Sequence, residues 1–250
     1  MAGHSKWANI KHKKAVTDAR RGKIFTRLVK EIIVAAREGG GNPDANPRLR
    51  MAIQNARAQN VPSENIKRGI QRGTGELEGV SYEQIIYEGF APASVAILVE
   101  TLTDNRNRTV AELRALFNKY GGSFGEAGSV AWNFQRKGVV QFDSNGASED
   151  DILMHVLQCE ADDAEFSDYN SVRVISPPEQ LAQTQKYFEE QGFTVSSAAF
   201  EYLPNTTAKI SDTEDLKKFT KFMDALEDYD DVQNIFSNVE IDESIAAEEE

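Results

Sequence analysis

The segment at residues 20–41, RRGKIFTRLVKEIIVAAREGGG, decides how the first third of this chain folds. Apolar residues recur in it at helical spacing, at Ile24, Leu28, Ile32 and Ala35/Ala36. Three consecutive glycines at 39–41 then end the pattern. The segment therefore predicts one long helix. Its start lies before Gly22 if the helix tolerates that glycine, which weakens a helix interior.

The same helix carries cations on the arc away from its apolar positions. The residues predicted to face outward are Lys23, Arg27, Lys30 and Arg37, and Arg20 continues the arc if the helix passes through Gly22. Between residues 6 and 30 there are nine cations and one acid, Asp18, so local ion pairs cannot neutralise the stripe. A solvated helix face is the simpler interpretation. However, repulsion among so many like charges favours a nearby polyanion, which points to nucleic acid.

Charge is divided along the whole chain in the same sense. Residues 1–75 hold 16 Lys+Arg and 5 Asp+Glu, a net charge of +11, whereas the chain as a whole carries −12, which leaves −23 for residues 76–250. Such a separation predicts domains with different partners. Two further helices are expected in the basic third, one opened by Asn46-Pro47 and one from Pro62 to Gly73 with Lys67, Arg68 and Arg72 outward.

The N-terminal arm places an aromatic residue among lysines. Trp7 stands with Lys6, Lys11, Lys13 and Lys14, a combination typical of proteins that stack on unpaired bases. An equally open alternative is that Trp7 anchors the arm to a core. The candidate nucleic-acid contacts in this third are Lys6, Trp7, Lys11, Lys13, Lys14, Arg20, Arg21, Lys23, Arg27 and Lys30.

After the glycines at 73 and 75 the composition becomes acidic, and strands alternate with helices. Strands are predicted at residues 85–87, 95–99, 130–134, 139–142, 172–175, 195–202 and 235–241. Helices are predicted around Leu113 and Phe117, after the cap Ser148, over residues 178–191 and after a Ser211/Glu214 capping box. The fold class is therefore α+β, and the acidic residues after Ile241 predict a disordered tail.

The segment DNRNRT at residues 104–109 joins a buried strand to a helix. Its simplest role is capping, by Asn107 or by a Thr109/Glu112 box. Arg106 and Arg108 stand in a domain with few cations, so a second polyanion contact is the alternative. The acidic surface at 150–168 and along the last helix is most simply solubilising. In a functional role it would dock on a basic protein surface.

Several function classes lose support from the sequence. The glycines at 122, 125 and 128 lie between a helix and a strand, the wrong order for a phosphate loop, so a flexible connector is predicted. The three histidines lack metal-ligand spacing, and Cys159 lies among acids that raise a thiol pKa. We expect no catalysis, metal, cofactor, small-molecule substrate or membrane span. A single cysteine fits a reduced, cytoplasmic protein.

Six sequence stretches resemble the YebC family of probable transcriptional regulators. They are MAGHSKWANIKH (1–12), RGKIF (21–25), NPRLR (46–50), RGTGEL (72–77), LTDNRNRT (102–109) and GSVAW (128–132). The resemblance covers essentially the whole chain and is densest up to about residue 138.

The resemblance implies a helical domain followed by two small α/β, ferredoxin-like domains, the third inserted in the second. The implied bounds are 1–78 for the helical domain, 79–136 plus 205–242 for the second, 137–204 for the third and 243–250 for the tail. It also implies a regulator of gene expression. One hypothesis is a DNA-binding transcriptional regulator, and the other is a translation factor that binds rRNA on the ribosome. Phosphate contacts alone do not separate DNA from RNA.

Overall fold

The computed structural model describes residues 18–79, 81–167 and 170–246, and it confirms the α+β class. The helices are α1 Asp18–Gly39, α2 Pro47–Ala58, α3 Ser63–Thr74, α4 Arg106–Tyr120, α5 Glu149–Gln158, α6 Leu181–Glu190, α7 Thr213–Glu227 and α8 Glu243–Ala246. The strands are β1 Glu83–Ala91, β2 Val95–Thr103, β3 Ser123–Phe124, β4 Phe134–Asp143, β5 Asp163–Phe166, β6 Ser171–Ser176, β7 Val195–Pro204, β8 Ala208–Ile210, β9 Val232–Ser237 and β10 Val239–Ile241.

The chain divides into two compact units. The first unit takes its described residues from Lys14–Ser81 and Lys137–Glu201, and the second from Tyr82–Arg136 and Tyr202–Glu250. The helices α1 to α3 therefore belong to the same unit as the sheet that follows residue 137. The three-domain division implied by the resemblance stays a prediction.

In the first unit, α1 continues through Gly22, a point that the sequence left open, and it ends at Gly39, where the run of glycines predicts its end. The buried Asn46 joins α1 to α2. Its amide donates to the carbonyl oxygens of Ala35 at 2.7 Å and Gly40 at 2.8 Å, and its side-chain oxygen accepts from the Leu49 N–H at 3.0 Å. One asparagine thus satisfies two carbonyls at the end of α1 and one free N–H at the start of α2.

The centre of α1 is buried all round rather than along one face. Residues 32–36 are five consecutive buried positions, and at 100° per residue they cover a full turn of helix. Their neighbours include Leu49 and Ile53 of α2 and Ile66 of α3. The prediction that Lys30 lies on an exposed face is wrong, because Lys30 is only 8% exposed.

Two glycines let α3 lie close against α1. A Cβ atom added at Gly73 would stand 2.5 Å from the Ile33 carbonyl oxygen and 2.6 Å from the Ala36 Cβ, and one at Gly69 would stand 3.1 Å from the Ile32 Cγ2. Both glycines are buried. This close approach fixes which side of α3 faces the core.

The second part of the first unit is an antiparallel sheet with the strand order β5-β6-β4-β7. Its core joins Val140, Phe142, Val172 and Val174 to side chains from α5 and α6, including Ile152 and Phe188. Strand β7 lies at the edge of the sheet. Asn55 of α2 binds its Ala198, donating to the carbonyl oxygen at 2.9 Å and accepting from the N–H at 3.2 Å. These bonds pair the edge backbone and attach α2 to the sheet.

The second unit is built on an antiparallel sheet of strand order β3-β1-β2-β9. Alternate residues of β2 point to opposite faces, and both faces are buried. Ile97 and Val99 pack with Phe117 of α4 and Phe222 of α7, whereas Leu98 packs with Phe134. The short strands β8 and β10 pair separately and in parallel.

Four local predictions in the second unit are wrong. Residues 131–133 form a 3-10 turn rather than a strand, with Trp132 73% exposed. Asp212, not Ser211, caps α7. The final strand is divided at Asn238 between two sheets. The predicted tail begins with α8, whose Ile245 is buried in the core, and residues 247–250 lie outside the described part of the chain.

Candidate nucleic-acid interface

The outer side of α3 is a cationic surface. Lys67, Arg68 and Arg72 are all exposed, and none of their side chains forms an ion pair or hydrogen bond with a described residue. The helix presents them because its glycine side lies against α1, which leaves the opposite side to solvent. One acid, Glu64, lies in the first turn of the helix. We call Lys67, Arg68 and Arg72 the α3 cationic face.

Two arginines of α2, Arg48 and Arg57, differ in whether they form ion pairs within the protein. Arg57 is exposed and makes no ion pair among the described residues. Arg48 binds Glu31 at 2.8 Å and Glu38 at 2.5 Å. Burial opposes the charge on Arg48, but hydrogen bonds and attraction from the two carboxylates outweigh it and raise its pKa. Arg48 therefore stabilises the helical layer, whereas Arg57 adds to the surface charge.

The cations predicted on α1 do not form one exposed stripe. Lys23 and Arg27 are half-buried, Lys30 is buried, and each of the three has interactions within the protein. Arg37 is exposed and donates to the Ser81 hydroxyl at 2.7 Å. The prediction that the α1 cations face outward as a set is therefore wrong, because neighbours cover α1 on several sides.

The remaining predicted contacts in the basic third lie where the structure gives no side-chain geometry. Arg20 and Arg21 belong to α1, but their side chains are not described. The other five predicted residues, Lys6, Trp7, Lys11, Lys13 and Lys14, lie outside the described residues. Their assignment stays a prediction.

Arg108 in the second unit already binds two carboxylates. Its Nη2 lies 2.8 Å from both Asp104 and Asp231, and hydrogen bonds to Asp231 and then to Asp104 raise its pKa. Asp231 is buried and also accepts hydrogen bonds from the hydroxyls of Thr103 and Thr109. A polyanion would have to compete with these carboxylates for Arg108.

Arg106, by contrast, is exposed in the first turn of α4. The helix is capped by Asn105, which accepts from the Arg108 N–H at 3.1 Å. The segment does cap the helix, but neither Asn107 nor a Thr109/Glu112 box has that role. The prediction therefore named the wrong capping residue. Of the two predicted arginines, Arg106 is the one that forms no ion pair with a described carboxylate, and its guanidinium interacts with the Tyr87 hydroxyl.

The glycine segment after β3 is held in place by a carboxylate. Glu88 accepts hydrogen bonds from the backbone N–H groups of Gly128 at 2.6 Å and of Val130 and Ala131 at 2.8 Å. Burial opposes ionisation of Glu88, but these three donors outweigh it and lower its pKa. These hydrogen bonds thus hold the segment in one conformation, whereas the sequence predicts a flexible connector. Its backbone donors are occupied by a protein carboxylate, which leaves no cradle for a phosphate there.

The described part of the chain gives little support for metal binding, for a cysteine nucleophile or for a membrane-spanning helix. No group of three His, Cys, Asp or Glu side chains in it is placed to hold a metal ion. Cys159 is buried, and burial raises the pKa of its thiol, which makes it a poor nucleophile. Among the same residues no helix is both long and apolar enough to cross a membrane. The α3 cationic face, by contrast, is a set of exposed like charges that form no ion pair with a described residue.

Two family models match almost the whole chain. The model of the TACO1/YebC protein N-terminal domain matches residues 5–76, and the model of the TACO1/YebC second and third domain matches residues 82–239. A probable transcriptional regulatory protein of Thermotoga maritima is 50% identical over 244 residues, 97% of this chain and 95% of its own. A protein of the same name from Halothermothrix orenii is 48% identical over 250 residues, 99% of this chain and 98% of its own.

A solved structure has a similar fold. The crystal structure of a conserved hypothetical protein from Aquifex aeolicus superposes with a TM-score of 0.86 at 41% identity. The match covers 93% of this chain and 98% of the Aquifex chain. With these relatives and with both family models, this chain belongs to the TACO1/YebC family.

Proposed function

We propose that this protein is a non-enzymatic regulator of gene expression that binds nucleic acid through its basic helices. The observation that carries the proposal is the α3 cationic face, where three exposed side chains form no ion pair with a described residue and the helix itself supplies a single acid, Glu64. Exposed cations on one helix face are the pattern expected of a surface that contacts phosphates. Arg57 on the neighbouring helix is a further exposed cation of the same unit.

The first candidate ligand is DNA, with the protein as a transcriptional regulator. Its relatives from Thermotoga maritima and Halothermothrix orenii are named probable transcriptional regulatory proteins. In addition, α2 and α3 are joined by only four residues, 59–62, and the second of the two helices carries the cationic face. A helix displayed after a short turn is a common way to present side chains to a DNA groove.

A second candidate is a translation factor that binds RNA on the ribosome. The observation that favours it is the contrast within the first unit between the cations of α3 and the acids around α5, where Glu149, Asp150 and Asp151 occupy the first turn. A ligand that offers both phosphates and basic protein surfaces would match both helices. The N-terminal lysines and Trp7 would then contact unpaired bases.

The proposal of nucleic-acid binding is tested with a triple substitution. Lys67→Gln/Arg68→Gln/Arg72→Gln in the full-length protein should weaken binding to a fluorescent 30-base-pair duplex or a structured RNA by about tenfold or more. The plot of log affinity against log salt should become shallower by about 0.9 per lost duplex contact. The matched control is Lys186→Gln/Lys217→Gln/Lys218→Gln, which removes three exposed charges that have acidic neighbours. Equal losses in the two variants would contradict the proposal.

The choice between the two ligands requires a competition experiment. A transcriptional regulator should prefer one duplex over random duplex DNA by about a thousandfold. A translation factor should discriminate little among duplexes and prefer structured or single-stranded RNA. Trp7→Ala should then weaken RNA binding more than duplex binding. One strongly preferred duplex, with equal effects of Trp7→Ala on both ligands, would decide for DNA.

A further inference from the structure

Helix α5 has two apolar sides, and the described part of the chain covers only one of them. Ile152 and Val156 are buried in the core beneath the helix. Leu153, Met154 and Leu157 lie on the other side, where they are 39%, 56% and 73% exposed. Because these three positions are separated by one, three and four residues, they form one continuous stripe on the helix. A surface helix normally presents polar residues on that side.

Acids lie at both ends of the helix that carries this stripe. Glu149 and Asp150 in the first turn and Glu160 just past the last turn are exposed, and none of them forms an ion pair with a described residue. The helical period places Asp150 in line with the stripe and Glu149 to one side of it. Moreover, residues 138–172 contain no lysine or arginine. The face is therefore apolar at its centre and negative at its two ends.

We propose that this face of α5 is a docking site for a basic amphipathic helix of a partner protein. The aliphatic stripe requires large apolar side chains opposite it, and the acids at its two ends favour lysine or arginine on the partner. A stripe that spans residues 153–157 fits partner side chains spaced three and four residues apart on a helix. Nucleic acid is disfavoured as the occupant because the face is negative.

A second copy of this chain is disfavoured as the occupant of the same face. A symmetric dimer through α5 would bring Glu149, Asp150 and Glu160 of one copy against the same acids of the other. Such like charges oppose association at physiological salt. The charge of the face thus selects a partner of opposite sign. This site is independent of the α3 cationic face, so either binding activity can fail without the other.

The test uses the full-length protein, free of nucleic acid, and two synthetic 14-residue helical peptides. One carries leucines on one side and lysines on the other, and the second has glutamates in place of the lysines. The leucine–lysine peptide should bind, and Met154→Ser/Leu157→Ser should weaken its binding by at least about tenfold. Both altered side chains are exposed, so thermal melting should be unchanged. The control Leu77→Ser/Ile86→Ser alters two aliphatic residues outside α5 that are 39% and 37% exposed, and it should bind like the wild type.

The contribution of charge is measured separately. Glu149→Gln/Asp150→Asn/Glu160→Gln should weaken binding of the leucine–lysine peptide at low salt and have little effect at high salt, where the attraction is screened. The proposal is overturned if the wild type does not bind this peptide, if the stripe variant binds as well as the wild type, or if the glutamate peptide binds equally. A concentration-dependent dimer that Leu157→Ser abolishes would also overturn it, because the occupant would then be a second copy.

Discussion

Helices α1 and α3 lie in the same layer and are both rich in cations, yet they use their charge differently. In α1, Lys30 is buried and its neighbours Lys23 and Arg27 interact within the protein. In α3, all three cations of its outer face are exposed and lack partners among the described residues. The difference arises from packing, because α1 is covered around a full turn, whereas α3 is covered only along its glycine side. Cationic residues on a helix become a candidate binding surface only where no neighbouring element covers them.

The largest expected effect concerns the close contact of α3 with α1 at Gly73. Gly73→Ala should lower the free energy of unfolding by about 2–3 kcal/mol, because the new methyl group would meet the Ile33 carbonyl oxygen and the Ala36 Cβ. The same substitution at Gly22 of α1 meets no atom within 4 Å and should stabilise the protein by about 0.5–1 kcal/mol. Urea denaturation of both variants measures the difference. Two equal effects would show that α3 does not depend on close contact with α1.

The next prediction concerns Glu88, a charged side chain that is buried in the second unit, as Lys30 is buried in α1. Glu88→Gln should cost about 2 kcal/mol at pH 7, since an amide cannot accept all three backbone hydrogen bonds. The folded-state pKa of Glu88 is lowered, so its contribution is fully present above the unfolded value of about 4.3 and is lost as the pH falls through the folded value.

Unfolding measured between pH 7 and pH 3 checks the sign of this effect. The wild type and the Glu88→Gln variant should converge in stability as the pH falls, while they differ most near neutrality. If the difference between them stays constant across the range, the ionised carboxylate is not what holds the glycine segment.

A smaller effect is expected where α1 ends and α2 begins. Asn46→Ala removes a helix cap and leaves the carbonyls of Ala35 and Gly40 without their donor, so it should cost about 1–2 kcal/mol. Asn42→Ala in the same loop is the control, because among the described residues the Asn42 side chain accepts only one, exposed hydrogen bond, from the Asp44 N–H. Thermal melting should separate the two variants clearly. Similar melting temperatures would mean that Asn46 contributes no more than an ordinary turn residue.

Local sequence signals predicted much of this architecture. The caps Asn46 and Ser148 stand where they were expected, and the helix predicted around Leu113 and Phe117 is α4, in which both side chains are buried. Such features depend on residues close in sequence, which is why spacing reveals them. The outward position of Lys67, Arg68 and Arg72 was predicted in the same way.

The errors occurred where distant residues decide the outcome. Val130, Trp132 and Phe134 alternate like a strand, but Glu88 binds the N–H groups of Val130 and Ala131 and holds the segment in another shape. Strand β5 was missed because its sequence, DAEF, has little apolar character and lies at a sheet edge. The burial of Lys30 likewise depends on which elements pack around α1, and no pattern within α1 contains that information.

The smallest effect compares one cation from each helix directly. Lys67→Gln should weaken nucleic-acid binding by about two- to threefold and leave stability unchanged, because the side chain is exposed and contributes one phosphate contact. Lys30→Gln should alter a buried position and therefore lower stability, while the salt dependence of binding stays as in the wild type. Anisotropy titrations at several salt concentrations, with melting curves of the same samples, give both quantities. If Lys30→Gln reduces the salt slope by as much as Lys67→Gln does, the buried lysine reaches phosphate after all. The distinction between the charges of α1 and α3 would then be wrong, and binding would have to involve a rearrangement of α1.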